Sequence, residues 1–283
     1  QLDLRGYDLV LSSSHAVAKS VRAPAGALHV CYCFTPMRYV WDLYDEYFGP
    51  RAGWAMRAAM PPVAAALRRW DRRTAAGVHH FVAISRFIAD RIRRCYGRAA
   101  DVIYPPVDVA RFRIEERPED FYLVVSALAP YKRVDLVVEA ASRLGRRLVV
   151  VGTGPEEARL RARAGPTVQF LGWKDDAQVA ELYARCRALL FPTVEDFGIT
   201  PLEAMAAGRP VIALGQGGAL ETVVPPGGPE PPTGLFFARQ TADDLAEAVR
   251  RFESGATVFE PKTLRRHAEQ FDRPIFKESM AGY

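Results

Sequence analysis

The second half of the chain alternates short apolar runs with amphipathic segments. Runs rich in Val, Ile, Leu and Phe are typical of buried strands. They lie at residues 121–128, 147–152, 167–172, 188–192, 210–214 and 234–238, with helix-like segments near 132–145, 155–165, 175–187, 200–207 and 241–253. Strands that alternate with helices in this way predict a parallel sheet covered on both faces. We therefore expect an α/β, doubly wound, Rossmann-like domain here.

The first hundred residues follow the same pattern less completely. Strand candidates lie at residues 7–14, 27–34, 79–85 and 101–107. A long helical stretch from about 51 to 76 contains Pro61-Pro62, which should kink or break it. The Gly-rich turn that normally follows the first strand of such a sheet is not found. We therefore expect a second Rossmann-like domain that is incomplete or reduced.

The domain boundary is expected at the proline-rich stretch 104–112, because successive prolines end a strand and stiffen a connector. The predicted division is an N-terminal, acceptor-side domain at 1–107 and a C-terminal, nucleotide-sugar-binding domain at 108–262. A helical tail at 263–283, able to pack back on the N-terminal domain, completes the chain.

Composition is that of a globular protein, with 49% hydrophobic and 25% charged residues. No apolar run approaches the roughly 20 residues of a membrane span, and the polar N-terminus does not resemble a signal peptide. We therefore expect a cytoplasmic location. The net charge of +5 permits anionic partners, and with five lysines against 33 arginines each lysine is an unusual choice.

The stretch "EDFGITPLE" places Glu195 and Glu203 around a predicted helix start. Thr200 at the N-cap, Pro201 at the first helical position and Glu203 at the third would complete a capping box, and Gly208 suits the C′ position. Glu203 thus has a structural interpretation as well as a ligand-binding one. Glu195 is either a surface loop acid or a carboxylate that accepts hydrogen bonds from a sugar or ribose diol.

Lys132 and Arg133 are expected in the first turn of the helix that follows the strand at 121–128. Cations there oppose the helix dipole, whereas a bound anion would explain them. A Gly-x-Gly-Pro turn at 152–155 contains Gly154 and has two equally good interpretations. It either lets backbone approach a ligand or simply links a strand to a helix.

Several site classes are excluded by the motifs that the sequence lacks. There is no complete G-x-G-x-x-G or Walker A sequence, so neither a nicotinamide cofactor nor a P-loop is expected. There is no G-x-S-x-G, no D-x-D and no His/Cys/Asp cluster with metal-ligand spacing, so we expect no metal. No basic stripe with interleaved aromatic residues supports nucleic acid binding.

Three features of the first half remain open. His15 follows a predicted strand and either faces a ligand or caps and packs a helix start. Arg38 lies in the aromatic segment 34–48, which suits either sugar stacking or helix packing. Segment 57–73 combines apolar residues with five arginines. It is either a solvated basic face or a peripheral contact with the inner face of the plasma membrane.

Four segments together closely resemble the retaining glycosyltransferases of family 4, which have the GT-B fold. They read "SALAPYKRVDLVVEA", "VVVGTGP", "FLGW" and "FPTVEDFGITPLEAMAAGRPVIALGQGGALETV". The chain is most similar to bacterial mannosyltransferase-like enzymes of O-antigen and exopolysaccharide assembly. The resemblance implies a metal-independent hexosyltransferase without a cofactor. It would move a mannose-like sugar from a nucleoside-diphosphate sugar, GDP favoured over UDP, to a glycan or lipid-linked acceptor.

The resemblance also implies roles for individual residues. Glu195 would contact the transferred sugar, Glu203 the ribose hydroxyls and Lys132 the diphosphate. The donor site would further include the backbone of Phe197, Gly198 and Ile199 together with Arg133 and Gly154, and the acceptor side would include His15 and Arg38.

Two positions depart from the family pattern. Ala127 stands where an arginine is usual. Arg133 or another cation would therefore help to bind the phosphates. Phe34 stands where a sugar-facing histidine is common. Together with the missing N-terminal Gly-rich turn, these departures favour an alternative, a truncated sugar-nucleotide-binding module without transfer activity.

Overall fold

The computed structural model describes residues 3–49 and 53–283. The chain divides into two compact units, residues 1–104 and residues 105–283. Each unit is built around one parallel sheet, with α-helices between successive strands except β1 and β2, which a 3-10 turn at Ala18–Ser20 separates.

The first unit has a four-stranded sheet in the order β1-β2-β3-β4, and every neighbouring pair is parallel. Its strands are β1 (Leu9–Ser14), β2 (Leu28–Cys33), β3 (His80–Ala83) and β4 (Asp101–Val102), and its α-helices are α1 (Tyr44–Phe48), α2 (Trp54–Ala75) and α3 (Arg86–Tyr96). The four strands lie inside the four predicted runs. The last is far shorter than its apolar pattern indicated, since it ends at Val102, before the prolines at 105–106.

Helix α2 runs through Pro61 and Pro62, so the expected break is wrong. The two prolines remove backbone donors that would have bonded to the carbonyls of Arg57 and Ala58. All four residues are exposed, so water can satisfy those carbonyls. The lost hydrogen bonds therefore do not stop the helix at this solvent-facing turn.

The second unit has a six-stranded sheet in the order β10-β9-β8-β5-β6-β7. Its strands are β5 (Tyr122–Val125), β6 (Leu148–Val151), β7 (Val168–Gly172), β8 (Ala188–Phe191), β9 (Val211–Leu214) and β10 (Gly234–Phe237). Its helices are α4 (Val134–Leu144), α5 (Glu157–Arg163), α6 (Asp176–Arg185), α7 (Ile199–Ala206), α8 (Ala219–Thr222), α9 (Ala242–Glu253), α10 (Pro261–Glu269) and α11 (Arg273–Gly282). All six predicted strands and all five predicted helices are present, and the strand order is that of a doubly wound Rossmann sheet.

Burial explains why the strands of the second sheet can be predicted from their apolar runs. Every residue of β6, β8 and β9 is buried, as expected for strands covered on both faces. Strands and helices share one large apolar core, which includes Val150 of β6, Leu190 of β8 and Leu245 of α9. Among the helices of residues 3–49 and 53–283, none has the length and apolarity needed to cross a membrane.

Candidate functional site

The strand order places a crevice between β5 and β8. Strand β5 pairs with β6 on one side and with β8 on the other, so the chain leaves β5 and β8 in opposite directions. Ligands of open α/β sheets bind at such a switch point, beyond the carboxyl ends of the strands. Lys132 follows β5 and Glu195 follows β8, and their side chains form an ion pair across this point. The structure thus brings together two residues that the sequence singled out separately.

Lys132 is held in place by a short turn rather than by a helix. Residues Pro130–Lys132 form a 3-10 turn, Arg133 adopts the left-handed conformation with φ of 52°, and α4 begins at Val134. The expected position of both cations in the first turn of the helix is therefore wrong. That turn instead carries Asp135, as the helix dipole favours, and the two cations precede it.

Arg133 is fixed by two polar partners. Its Nε donates to Asp135 Oδ1 at 3.1 Å, and its Nη1 donates to Gln240 Oε1 at 3.3 Å. Gln240 in turn donates through Nε2 to the carbonyl oxygen of Pro192 at 2.9 Å. The guanidinium is therefore tied to the loop after β10 and, through Gln240, to the loop after β8.

Helix α7 starts two residues earlier than the predicted N-cap Thr200 indicates. Its N-cap is Gly198, with φ of 92°, and no described side chain caps it. Thr200 lies inside the helix, so the predicted capping box with Glu203 is wrong. A glycine can take the left-handed conformation that the chain needs here, which no sequence pattern of capping residues reveals. The first backbone N–H groups of α7 are therefore left without a side-chain partner.

The end of α7 follows the prediction. Gly208 has φ of 74° and its N–H donates to the carbonyl of Met205, while the N–H of Arg209 donates to the carbonyl of Ala204. These two bonds form a Schellman motif, with glycine at C′ as expected.

Glu203 is half-buried on α7 and accepts a hydrogen bond from the hydroxyl of Tyr183 at 3.1 Å. Burial raises the pKa of the Glu203 carboxyl, against the lowering effects of the Tyr183 bond and of Arg111; Asp176 adds a smaller increase. Because the capping box is wrong, helix initiation no longer explains this acid. A partly desolvated carboxylate with one partner has capacity for further hydrogen-bond donors.

The segment that carries Glu195 is held against the loop after β9. The N–H of Gly218 donates to the carbonyl of Glu195 at 2.8 Å. A Cβ atom at Gly218 would lie 2.3 Å from the Cα of Phe197, so only glycine fits. Phe197 is itself buried, with its ring centroid 5.8 Å from that of Phe271. The backbone around Glu195 is therefore fixed on both sides.

Gly154 lies at a close contact between two loops. A Cβ atom there would lie 2.5 Å from the carbonyl oxygen of Leu128, and the N–H of Leu128 donates to Thr153 at 2.9 Å. Packing between the loops after β5 and β6 is thus sufficient to require this glycine. A contact of its backbone with a ligand stays a prediction.

His15 and Arg38 lie in the first unit. His15 is exposed just after β1, and the half-buried Arg38 lies in the segment after β2. Because β1 and β2 are neighbouring parallel strands, both residues are at the carboxyl edge of that sheet. Their assignment to the acceptor side stays a prediction.

Comparison with known protein families identifies the family of the chain that contains this site. Residues 108–270 match the model of the family described as glycosyl transferases group 1. The chain belongs to this family. The matched residues of the glycosyltransferase cover the loops after all six strands of its second sheet, including Lys132, Glu195 and Glu203.

Relatives of this glycosyltransferase include mannosyltransferases. It is 32% identical over 235 residues to a GDP-mannose-dependent alpha-(1-6)-phosphatidylinositol monomannoside mannosyltransferase from Mycobacterium tuberculosis, covering 71% of this chain and 57% of the relative. It is 36% identical over 120 residues to the O-antigen chain mannosyltransferase C from Escherichia coli, covering 40% of this chain and 32% of the relative. The chain thus spans little more than half the length of the first of these relatives.

A solved structure supports the fold assignment. Sucrose-phosphate synthase from Thermosynechococcus elongatus superposes on 98% of this chain and 73% of its own, with a TM-score of 0.76 and 19% identity. Such a likeness shows the fold alone. It confirms the predicted α/β class with two parallel-sheet domains of GT-B type.

Two polar side chains of this glycosyltransferase escaped sequence reasoning. Gln240 lies 48 residues from its partner Pro192 and 107 from Arg133, and Tyr183 lies 20 residues from Glu203. No local motif marks either residue. Gln240 lies just beyond the carboxyl end of a strand, and Tyr183 lies on the helix before β8. These positions were the only signal in the sequence, and many other residues share them.

Proposed function

We propose that this glycosyltransferase transfers a mannose-like sugar, with retention, from a nucleoside-diphosphate sugar to a glycan or lipid-linked acceptor. The observation that carries the proposal is the Lys132–Glu195 ion pair at the switch point between β5 and β8. A cation and a carboxylate held side by side suit a donor that joins a diphosphate to a polyhydroxylated sugar. GDP is favoured over UDP because a relative of the chain is named as GDP-mannose-dependent.

In the proposed complex the Lys132 ammonium binds the diphosphate, and the uncapped N-terminus of α7 adds backbone N–H groups. Arg133 contributes a second positive charge from the same loop. These groups stabilise the charge that develops on the leaving diphosphate, which is the main electrostatic requirement of the reaction. No metal or cofactor is part of the proposal.

The carboxylates bind hydroxyl groups. Glu195 accepts hydrogen bonds from the transferred sugar, and Glu203 accepts them from the ribose. The bond between the anomeric carbon and the diphosphate oxygen breaks, and the acceptor hydroxyl oxygen bonds to the anomeric carbon from the same face. The proton of that hydroxyl passes to the departing diphosphate. The acceptor thus leaves glycosylated and the nucleoside diphosphate leaves protonated.

A lipid-linked acceptor would bring the protein to a membrane surface. On α2, the side chains of Met56, Val63 and Trp70 are 48%, 46% and 37% exposed, and their seven-residue spacing places them on one side of the helix. Arg69 and Arg73 are exposed nearby along the same helix. An apolar strip with neighbouring arginines supports peripheral contact with an anionic surface through segment 57–73.

The test combines binding with turnover. Thermal shift with GDP, UDP, ADP and the corresponding sugars identifies the donor, and transfer of labelled mannose from GDP-mannose to a lipid-linked acceptor identifies the reaction. We expect GDP and GDP-mannose to stabilise the protein most. Lys132→Ala and Glu203→Ala should each weaken nucleotide binding about tenfold, since each removes a hydrogen-bonding charged group. Failure of every nucleotide to bind would exclude the donor site.

The same assays separate the alternative, a sugar-nucleotide-binding module without transfer activity. Ala127, exposed on the loop after β5, and Phe34, after β2, favour it because each replaces a polar side chain common in the family. Nucleotide binding with neither donor hydrolysis nor transfer would establish this alternative.

A further inference from the structure

The side-chain amide of Gln240 joins the two loops that meet at the switch point. It accepts from the Arg133 guanidinium at 3.3 Å and donates to the Pro192 carbonyl at 2.9 Å. Arg133 belongs to the loop after β5, and Pro192 begins the loop after β8. Gln240 itself comes from a third loop, between β10 and α9. One amide thus bridges the cation-bearing loop and the carboxylate-bearing loop.

Arg133 needs such support because its backbone is strained. It is the one described non-glycine residue with a positive φ, at 52°. A left-handed conformation is less favourable than the ordinary helical one at a residue that carries a Cβ atom. Its side chain makes a two-pronged contact with Asp135, at 3.1 and 3.4 Å, in addition to the Gln240 bond. The guanidinium is therefore held in one orientation.

The strained turn also sets the position of the adjacent Lys132. Two further links join the same pair of loops, namely the Lys132–Glu195 ion pair and a long hydrogen bond of 3.4 Å from the Thr193 hydroxyl to the Tyr131 carbonyl. A diphosphate that binds Lys132 competes with Glu195 for the ammonium. The Gln240 bridge does not depend on that ammonium. It can therefore hold the two loops in the same relative position when the diphosphate replaces Glu195 as the partner of Lys132.

We infer that Gln240 is a positioning residue for the donor diphosphate, acting through Arg133 and the Pro192 carbonyl. This inference rests on the proposed function. Only a carboxamide of this length both accepts from a guanidinium and donates to a carbonyl at these places. A glutamate at 240 would still accept from Arg133 but would turn a carboxylate oxygen toward the Pro192 carbonyl. A methionine, of similar size, would lose both bonds.

A positioning role for Gln240 predicts that its substitution weakens the binding only of ligands that carry a diphosphate. A nucleoside monophosphate lacks the second phosphate on which the positioned cations act. Gln240→Met and Gln240→Glu should therefore each lower the affinity for GDP about tenfold while changing the affinity for GMP less than about twofold. Gln240→Asn, whose amide is one methylene short, should resemble Gln240→Met. Donor KM should rise more than the acceptor KM.

Calorimetric titration of GDP and GMP into the whole chain tests the inference, with Gln169→Glu on the exposed side of β7 as the matched control. Because Gln240 acts through Arg133, Arg133→Met and Gln240→Met should be non-additive, the double variant binding GDP about as weakly as Arg133→Met alone. If Gln240→Met folds poorly, Gln240→Asn takes its place in the same cycle.

Two results would overturn the inference while leaving the proposed function standing. One is unchanged GDP affinity in the Gln240 variants, and the other is an equal loss for GDP and GMP, which indicates a general structural role. If the wild-type chain binds neither GDP nor UDP, the proposed function fails and this inference fails with it.

Discussion

Lys132 and Glu195 each limit what the other can bind. Their side chains are only 20% and 17% exposed, so the ion pair is poorly screened by water. In the proposed donor complex, the diphosphate would compete with the Glu195 carboxylate for Lys132, and the sugar hydroxyls would compete with Lys132 for Glu195. The pair would then be a site of exchange, in which donor binding replaces one set of charged contacts with another.

Glu195→Gln should strengthen the binding of a free nucleoside diphosphate about threefold to tenfold, because it removes a competing and repelling negative charge. The same substitution should reduce sugar transfer, since the amide is a weaker hydrogen-bond acceptor for sugar hydroxyls. Calorimetry with GDP and a transfer assay measure the two effects. Lys132→Met is the opposite control and should weaken GDP binding; a loss of affinity in both variants would contradict the exchange.

Glu203 should reduce the stability of the protein as its carboxyl ionises. Burial raises its pKa above that of the unfolded chain, so its favourable contribution is present at low pH and is lost as the pH rises through the raised pKa. Glu203→Gln should therefore raise Tm at pH 8 relative to wild type, with the difference shrinking toward pH 4. A pH series of thermal unfolding measures this. Glu247→Gln, on the exposed face of α9, should show no such pH-dependent gain.

At the scale of elements, a buried ion pair ties the start of the chain to α2. Lys19, in a 3-10 turn after β1, and Asp71 of α2 are 1% and 0% exposed and lie 2.5 Å apart. Asp71 also accepts from the Trp41 indole and the Tyr96 hydroxyl, each at 2.8 Å. A charge buried this deeply is tolerated only when its partners remain in place.

Removing either partner should destabilise the first unit, but not equally. Asp71→Ala leaves the Lys19 ammonium buried without its counter-ion, and should cost about 3–5 kcal/mol in the free energy of unfolding. Lys19→Met should cost less, because Asp71 keeps two hydrogen-bond donors. Denaturant unfolding measures both values. Equal losses would show that the tryptophan and tyrosine contacts contribute little.

Element boundaries were predictable where burial decides them. Strands β6, β8 and β9 of the second sheet are apolar and fully buried because both of their faces are covered, and all six strands of that sheet lie within their predicted runs. The starts of α4 and α7 were wrong because Arg133 and Gly198 take left-handed backbone conformations that depend on neighbouring loops. The partners of Glu203 and Arg133 could not be predicted from the sequence, because contacts between segments far apart along the chain leave no local pattern.

At the scale of the whole molecule, the proposed membrane contact rests on the net charge of +5 and on the exposed apolar side chains of α2. Met56→Ser/Val63→Ser should weaken binding to phosphatidylglycerol-containing vesicles about tenfold, since two half-exposed apolar side chains are lost from the contact. Wild-type binding should also fall with added salt. Vesicle sedimentation measures both, with Leu220→Ser, an exposed apolar position in α8, as the control. Unchanged sedimentation of the double variant would exclude this face of α2.

The tight fit of Gly218 against Phe197 has a mechanical consequence. The two backbones pack too closely to admit a Cβ atom at position 218, and the N–H of Gly218 donates a hydrogen bond to the carbonyl of Glu195. In the proposed complex, a movement of the loop after β8 on sugar binding would therefore also move the loop after β9. A displacement of Glu195 by the sugar would be transmitted directly to residues 215–218, so that these two loops respond as a single body.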